Sequence, residues 1–475
     1  MKRKLIILLP LGALLGVAAL ALLNWATPRL EGFTPADGAG DAAASQPVSI
    51  QFSAPLDPAS LAQRLSISPD TPGTTRWEGS TFIFTPDQPW PPGTQVQVEL
   101  RSGVRRAGWL PLATRQGATW SFTIRQPRLL YLYPANGPAN LYQLDPVTGE
   151  GQALTLSSAG VEDYTVSPDG QSIYYSLRDG QSGSQIYRLD PNASPETDFK
   201  AGADAEAEPS RQLILDCPQA LCRALAISPG EKFLAYERTA LPGSGQPDLP
   251  QVWLLRLDGA GEPALVGAAG HLTLQPTWSS NGTLAFYDST DRAYIFYDPL
   301  AGELARLPNQ TGQPGAWRPG LDEFAAAEIS FLDANISPQL GELERLADSH
   351  IFLYNWRSGQ SQDLTGEAAL EDTAPAFSPD GRYMAFARKS VEAAAWTPGR
   401  QAWLRDMASG LSQGVTHDPL YTYYDFTWDP SGRLLTLVRF NQSALTEPPE
   451  IWQINLALAQ AARLVTGGYA PQWIP

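Results

Sequence analysis

The chain has 475 residues, of which 43% are hydrophobic and 10% aromatic, with 41 glycines, 42 prolines and only 17% charged residues. That is a turn-rich, aromatic-rich β composition, and it excludes a disordered chain. The formal net charge is −16, with no basic run beyond the first residues, which excludes a nucleic-acid partner because phosphate binding needs clustered Lys and Arg.

Lys2, Arg3 and Lys4 precede an uncharged apolar run from Leu5 to Leu23. As a helix this run spans roughly 28 Å, close to a bilayer's hydrocarbon core. Residues 1–26 therefore read as a cytoplasmic tip and a transmembrane signal anchor, with residues 27–475 extracytoplasmic and the protein at the cell membrane. The alternative is a signal peptide cleaved after Ala21, in Ala19-Leu20-Ala21. Residues 27–46 are small, polar and aperiodic, the composition of a flexible linker.

From Pro47 the pattern changes to period two. Val48, Ile50 and Phe52 alternate with polar residues, as do Val96, Val98 and Leu100, and then Trp120, Phe122 and Ile124. Short alternating strands between turn clusters predict a β-sandwich over 47–126. The segments "IQFSAPLD" (50–57), "WEGSTFIFTP" (77–86), "PPGTQVQVEL" (91–100) and "WSFTI" (120–124) resemble the bacterial Ig-like domain of S-layer and surface proteins. The resemblance implies a spacer or adhesion module.

Residues 163–190 read as strand, tight turn, strand, loop, strand, and the pattern recurs. "RALAISPGEKFLAYERT" (223–239), "QPTWSSNGTLAFYDS" (275–289), "PGAWRPGLDEFAAAEIS" (314–330), "APAFSPDGRYMAFARK" (374–389) and "YDFTWDPSGRLLTLVRF" (424–440) each lead to a further strand. The spacing is that of propeller blades. Residues 128–155 hold later blade strands with no opening strand, and residues 469–475 are an opening strand with nothing after it. Joined, they make a seventh blade and leave no long exposed sheet edge. The predicted fold class is all-β: a transmembrane helix, an Ig-like sandwich, then a seven-bladed propeller over 127–475 closed by the C-terminal strand. Trp278, Trp317, Trp428 and Trp473 take equivalent positions and are expected to pack between blades. "FSPDGRYMAFARK" and "VSPDGQSIYYSLR" resemble the TolB-type, WD-repeat-like propellers of exported bacterial proteins. That family implies a fold; it includes partner binders and propellers joined to peptidases.

No catalytic or metal motif is read. There is no G-x-S-x-G elbow, no H-E-x-x-H and no EF-hand loop. His271, His350 and His417 fall in or beside loops of different blades and read as surface residues. The SPDG aspartates read as turn-stabilising rather than calcium-binding. No cofactor is called for, and the chain reads as not an enzyme. Cys217 and Cys222 are the only cysteines; outside the membrane they are expected to form a local disulfide.

With strands a to d numbered outward from the axis, b–c loops and d–a connections share one face. Four b–c loops there are long: 240–250, 331–349, 390–400 and 441–449. Long loops on a rigid scaffold carry binding. Candidate partner-binding residues are Leu340 and Leu343, on one face of a helix expected over 337–349, and Trp396, His417, Tyr421, Tyr423 and Tyr424. The sequence thus predicts a membrane-anchored, extracytoplasmic, non-catalytic scaffold whose propeller recognises a protein or peptide partner at the cell envelope. A carbohydrate- or cell-wall-binding module and a degenerate propeller hydrolase are the alternatives.

Overall fold

The computed structural model describes residues 26–474, apart from 41, 43, 45, 88–89, 109–111, 147, 180–182, 193–210, 247, 260, 332–346, 367–368 and 393. The chain forms two compact units that divide between Gln126 and Pro127.

The first unit is a β-sandwich. One sheet orders its strands Leu30–Thr34, Val48–Phe52, Thr81–Pro86 and Gly73–Glu78, and the other Leu65–Ser68, Gln95–Leu100 and Ala118–Thr123. The period-two residues Val48, Ile50, Phe52, Val96, Val98, Trp120 and Phe122 turn inward and are fully buried. A one-turn helix, Pro58–Ala62, is capped by Asp57, whose Oδ1 accepts from Ala59 N–H at 3.1 Å.

Two expectations are corrected here. Residues 27–46 are not a linker throughout, since Leu30–Thr34 pairs with Val48–Phe52. Phe33 anchors it by stacking on Trp120, with ring centroids 4.2 Å apart. The transmembrane helix is not part of the observed architecture: no helix among the described residues is long and apolar enough to cross a membrane. Residues 5–23 lie outside the described residues.

The second unit is seven antiparallel blades of four strands, with blades 5 and 6 joined into one sheet by a parallel bridge between Ser349 and Glu371. Blade 1 takes strand a from the chain's end (Tyr469–Ile474) and strands b to d from its start (Arg128–Tyr133, Asn140–Leu144, Gly151–Ala153). Strands a of blades 2 to 7 are Val161–Val166, Ala220–Ile227, Thr273–Trp278, Ala316–Trp317, Leu370–Phe377 and Tyr421–Trp428. Each a strand contacts the next, and the last contacts the first, so the ring is closed around its axis.

Two local features make the repeat. In the a–b turns, Gly170, Gly230, Gly282, Gly320, Gly381 and Gly432 all have φ between 65° and 85°, a conformation open to glycine. The serine and aspartate of the turn bond each other and the backbone: Ser167 Oγ donates to Asp169 (2.7 Å) and accepts from Ser172 N–H (2.9 Å). The second feature is the tryptophan at the end of strand a, just before the turn. Trp278, Trp317 and Trp428 donate Nε1–H to Ala226, Thr277 and Ala376 of the preceding blade, and Trp473 to Thr436 Oγ1. Each ring therefore fixes one blade against its neighbour by area and by a hydrogen bond.

The closing strand puts Ile474 into a fully buried cluster with Leu130, Leu132 and Ile173. Ile474→Ala removes that contact without touching the hydrogen-bond ladder. It is expected to cost about 2–5 kcal/mol, read as a lower urea midpoint at unchanged slope. An unaltered midpoint would show that closure does not depend on this strand's packing.

Candidate functional site

A cavity of about 460 Å³ opens between blades 6 and 7. Its lining includes His417, Asp418, Tyr423, Leu437, Arg439 and Trp452. The strand alternation explains this set. On blade 7, Tyr421 and Tyr423 (strand a), Leu437 and Arg439 (strand b, Leu434–Asn441) and Trp452 and Ile454 (strand c, Glu450–Asn455) are each two apart and share a face. The register aligns Tyr423, Arg439 and Glu450 in one row and Leu437, Trp452 and Arg463 in the next. The d–a connection of blade 6 supplies His417 and Asp418, so the slot opens on the b–c and d–a face.

Arg439 sits between two rings, 4.0 Å from the Tyr421 centroid and 4.1 Å from the Trp452 centroid. Its Nε donates to Glu450 at 2.8 Å. Glu450 also accepts from Trp452 Nε1–H (2.9 Å) and Arg463 (2.8 Å). Burial raises the Glu450 carboxyl, but these three donors outweigh it and hold it below the usual carboxylate range. Burial pushes the Tyr423 phenol up.

The sequence candidates divide. His417, Tyr421 and Tyr423 come together at the slot. Tyr424 does not: its side chain takes the opposite face of the strand, edge-on to Phe440 at 5.5 Å and packed against the blade 1 core. Burial pushes its phenol up to about 12. Trp396 is 55% exposed, with Lys389 Nζ 4.6 Å from its ring centroid. Its loop reaches the slot rim, where Gly399 N–H donates to Pro419 O at 3.0 Å. Leu340 and Leu343 lie outside the described residues. The helix expected over 337–349 is corrected at its end, because Ala347–Asn355 is strand c of blade 5. Cys217 and Cys222 are disulfide-bonded and buried, joining strand d of blade 2 to strand a of blade 3. Arg439 and Trp452 were missed. Their signal was present, as "AYER…QVW", "AFAR…QAW" and "TLVR…EIW" repeat in three blades.

A second polar region lies on the a strands around the axis. In blades 3, 4, 6, 7 and 1 the strand carries a bulge at Ala224, Gln275, Ala374, Asp425 and Ala470, each with φ between 49° and 58°. Bulge amides are latched by acids of the preceding blade: Leu225 N–H donates to Asp163 Oδ2 at 2.7 Å, and Gln275 N–H to Glu237 Oε1 at 2.8 Å. Burial pushes Asp163 up to about 6, against the pull of the Leu225 amide. Asp425 also rises to about 6 through burial, opposed by the Ala470 amide. Its side chain is exposed by area.

One group of metal-ligand type occurs among the described residues: His271, Asp288 and Asp291. His271 Nδ1 lies 2.8 Å from Asp288 Oδ2, and Arg306 pairs with Asp291. The guanidinium already neutralises one of the two acids a cation would use.

Residues 26–124 match the family model described as bacterial Ig-like domain. No curated protein matches the chain. Among solved structures, TolB from Acinetobacter baumannii is 12% identical, with a TM-score of 0.42 over 87% of this chain and 83% of that one. The β-propeller domain of the Trilobed protease from Pyrococcus furiosus is 12% identical, with a TM-score of 0.44 over 64% of this chain and 82% of that one. A puromycin-hydrolyzing peptidase of Mycobacterium tuberculosis is 11% identical, with a TM-score of 0.48 over 90% of this chain and 57% of that one. The first unit is thus similar to bacterial Ig-like domains and the chain to TolB, and at these scores the likenesses carry no argument about function. The expectation that the chain is not an enzyme is corrected: the structures it resembles include a peptidase, so the fold gives no ground for excluding catalysis.

The raised acid gives a pH prediction. Asp163 binds its proton at about 6 when folded and at about 3.9 when unfolded. Between these values the folded state holds the extra proton, so stability falls as pH rises from about 4 to about 6 and is flat above. The contribution is of order 1–3 kcal/mol for Asp163, and smaller for Asp425, which meets water. Asp163→Asn keeps an acceptor for Leu225 and should flatten this slope in urea titrations between those pH values. An unchanged slope would place the titrating group elsewhere.

Proposed function

We propose that this protein is an extracytoplasmic binding protein whose propeller is a rigid scaffold recognising a protein or peptide partner. The partner meets the face that carries the b–c loops and d–a connections. The observation that carries this reading is the slot between blades 6 and 7. It is concave and lined by aromatic and aliphatic side chains, with Thr416, His417, Asp418 and Arg439 as its other polar groups, which is the make-up of an anchor pocket. The buried disulfide supports an oxidising compartment, and the cell envelope fits it.

Ala461 lines the slot from the exposed outer strand of blade 7. Ala461→Trp therefore fills the slot from a position where the fold tolerates bulk. Peptides selected by display against the native chain are expected to bind the variant at least about tenfold more weakly, a loss of one anchor contact. Peptides that bind both equally would move recognition off the slot. Failure to enrich any peptide would overturn the reading and favour a glycan.

A further inference from the structure

We propose that the slot between blades 6 and 7 captures the C-terminal residue of a peptide, its α-carboxylate on Arg439 and its apolar side chain against Trp452 and Leu437. The inference rests on the peptide-recognition reading above and names the ligand chemistry of that same site.

The argument comes from comparing blades of one molecule. Three blades place an arginine at the same position of strand b, over a tryptophan of strand c. The guanidinium carbon is 5.4 Å from the ring centroid for Arg238 and Trp253, 4.7 Å for Arg388 and Trp403, and 4.1 Å for Arg439 and Trp452. The residue opposite on strand a is Cys222, Asp372 and Tyr423 respectively. In blade 6 the frame is used internally: Asp372 bonds Arg388 through both oxygens, at 2.8 and 2.9 Å, with both side chains buried. In blade 6 a guanidinium backed by an indole and facing strand a therefore serves as a carboxylate receptor.

Blade 7 keeps the arginine over tryptophan but has no carboxylate on strand a; its acid, Glu450, is on strand c. Tyr423 stands where Asp372 stood, and the 460 Å³ cavity lies beside it. Glu450 engages Arg439 through Nε alone and shares its other oxygen with Arg463. One carboxylate thus serves two guanidiniums, and with Asp418 the slot's charges balance, leaving unused donors rather than unmatched charge. Arg439 is only 16% exposed, and its fork has more donors than Glu450 and Tyr423 take. The guanidinium's remaining donors ask for one bidentate acceptor. Asp418 at the same slot disfavours further negative charge, so a terminal Asp or Glu is selected against.

The walls decide which carboxylate. The slot exceeds the size of an acidic side chain, and its other lining is aliphatic and aromatic. A C-terminal residue carries a carboxylate and an apolar side chain on one Cα, and satisfies both walls at once.

The test uses the full chain and fluorescent, N-acetylated Gly/Ser hexapeptides ending in Leu, Phe or Trp, as free acids and as C-terminal amides. In anisotropy titrations the free acids should bind at least about tenfold more tightly than their amides, the effect of one charge-assisted contact. Arg439→Gln should bring the acids down to the level of the amides. That comparison within the native chain needs no variant, so misfolding of Arg439→Gln would not blur it. Equal binding of acid and amide would overturn C-terminal capture, while loss of both in Ala461→Trp would leave the peptide-recognition reading standing. An acid preference that survives Ala461→Trp would place the carboxylate elsewhere. An amidated peptide with an internal Glu that binds as tightly as the free acids would assign the carboxylate to a side chain instead. No binding of any free acid would overturn the inference outright.

Discussion

The whole propeller hangs on one pairing, that of Tyr469–Ile474 with Arg128–Tyr133. An open arc of blades would leave one a strand without a neighbour and a long b-strand edge unpaired. Closed, each a strand is held on both sides, and the connections between blades cannot splay. The seam is bonded beyond its ladder: Gln472 Nε2 donates to Tyr164 O at 3.2 Å, and the Tyr164 hydroxyl donates to Ala470 O at 2.5 Å. Closure is what turns a row of hairpin sheets into a scaffold on which a slot keeps its width.

Within that scaffold, one frame serves two ends. The arginine over tryptophan of blade 6 is closed by an internal acid, and burying both charges is tolerated because each guanidinium donor on that side has an oxygen. In blade 7 the acid moves to strand c as Glu450, and a tyrosine takes its former place. The same positions thus give a sealed contact between blades 5 and 6 and an open one between blades 6 and 7. A difference of one side chain on strand a, with the connection that precedes it, separates packing from a pocket.

Much of the architecture was legible. Turn glycines with positive φ, the tryptophans before them, and two unmatched ends of the repeat all leave marks in a single sequence. The strand at Leu30–Thr34 was hidden because a bulge between Leu30 and Gly32 breaks the period-two alternation. Tyr424 was grouped with Tyr421 and Tyr423 by proximity in sequence, although a strand sends neighbours to opposite faces. The slot itself was not legible. Its volume depends on how far one sheet stands from the next, and no residue encodes that distance alone.

The histidines show how the fold sorts its reactive groups. His271 lies 2.8 Å from Asp288, and His350 lies 2.9 Å from Asp363. His271 is tethered in the connection that enters blade 4, whereas His350 is buried in strand c of blade 5, not at the surface as expected, and is held to Asp363 at the end of strand d. His417 differs, since it lines the slot and packs toward Gly414, whose lack of a side chain leaves room for the ring. The polar chemistry this propeller offers a ligand is therefore concentrated where His417, Asp418 and Arg439 meet an apolar wall, and on the innermost strands, where burial raises Asp163 and Asp425 to about 6. Of these two places, the slot has the volume for a side chain and a guanidinium whose donors its own residues leave partly unused, which is why recognition is assigned to the slot.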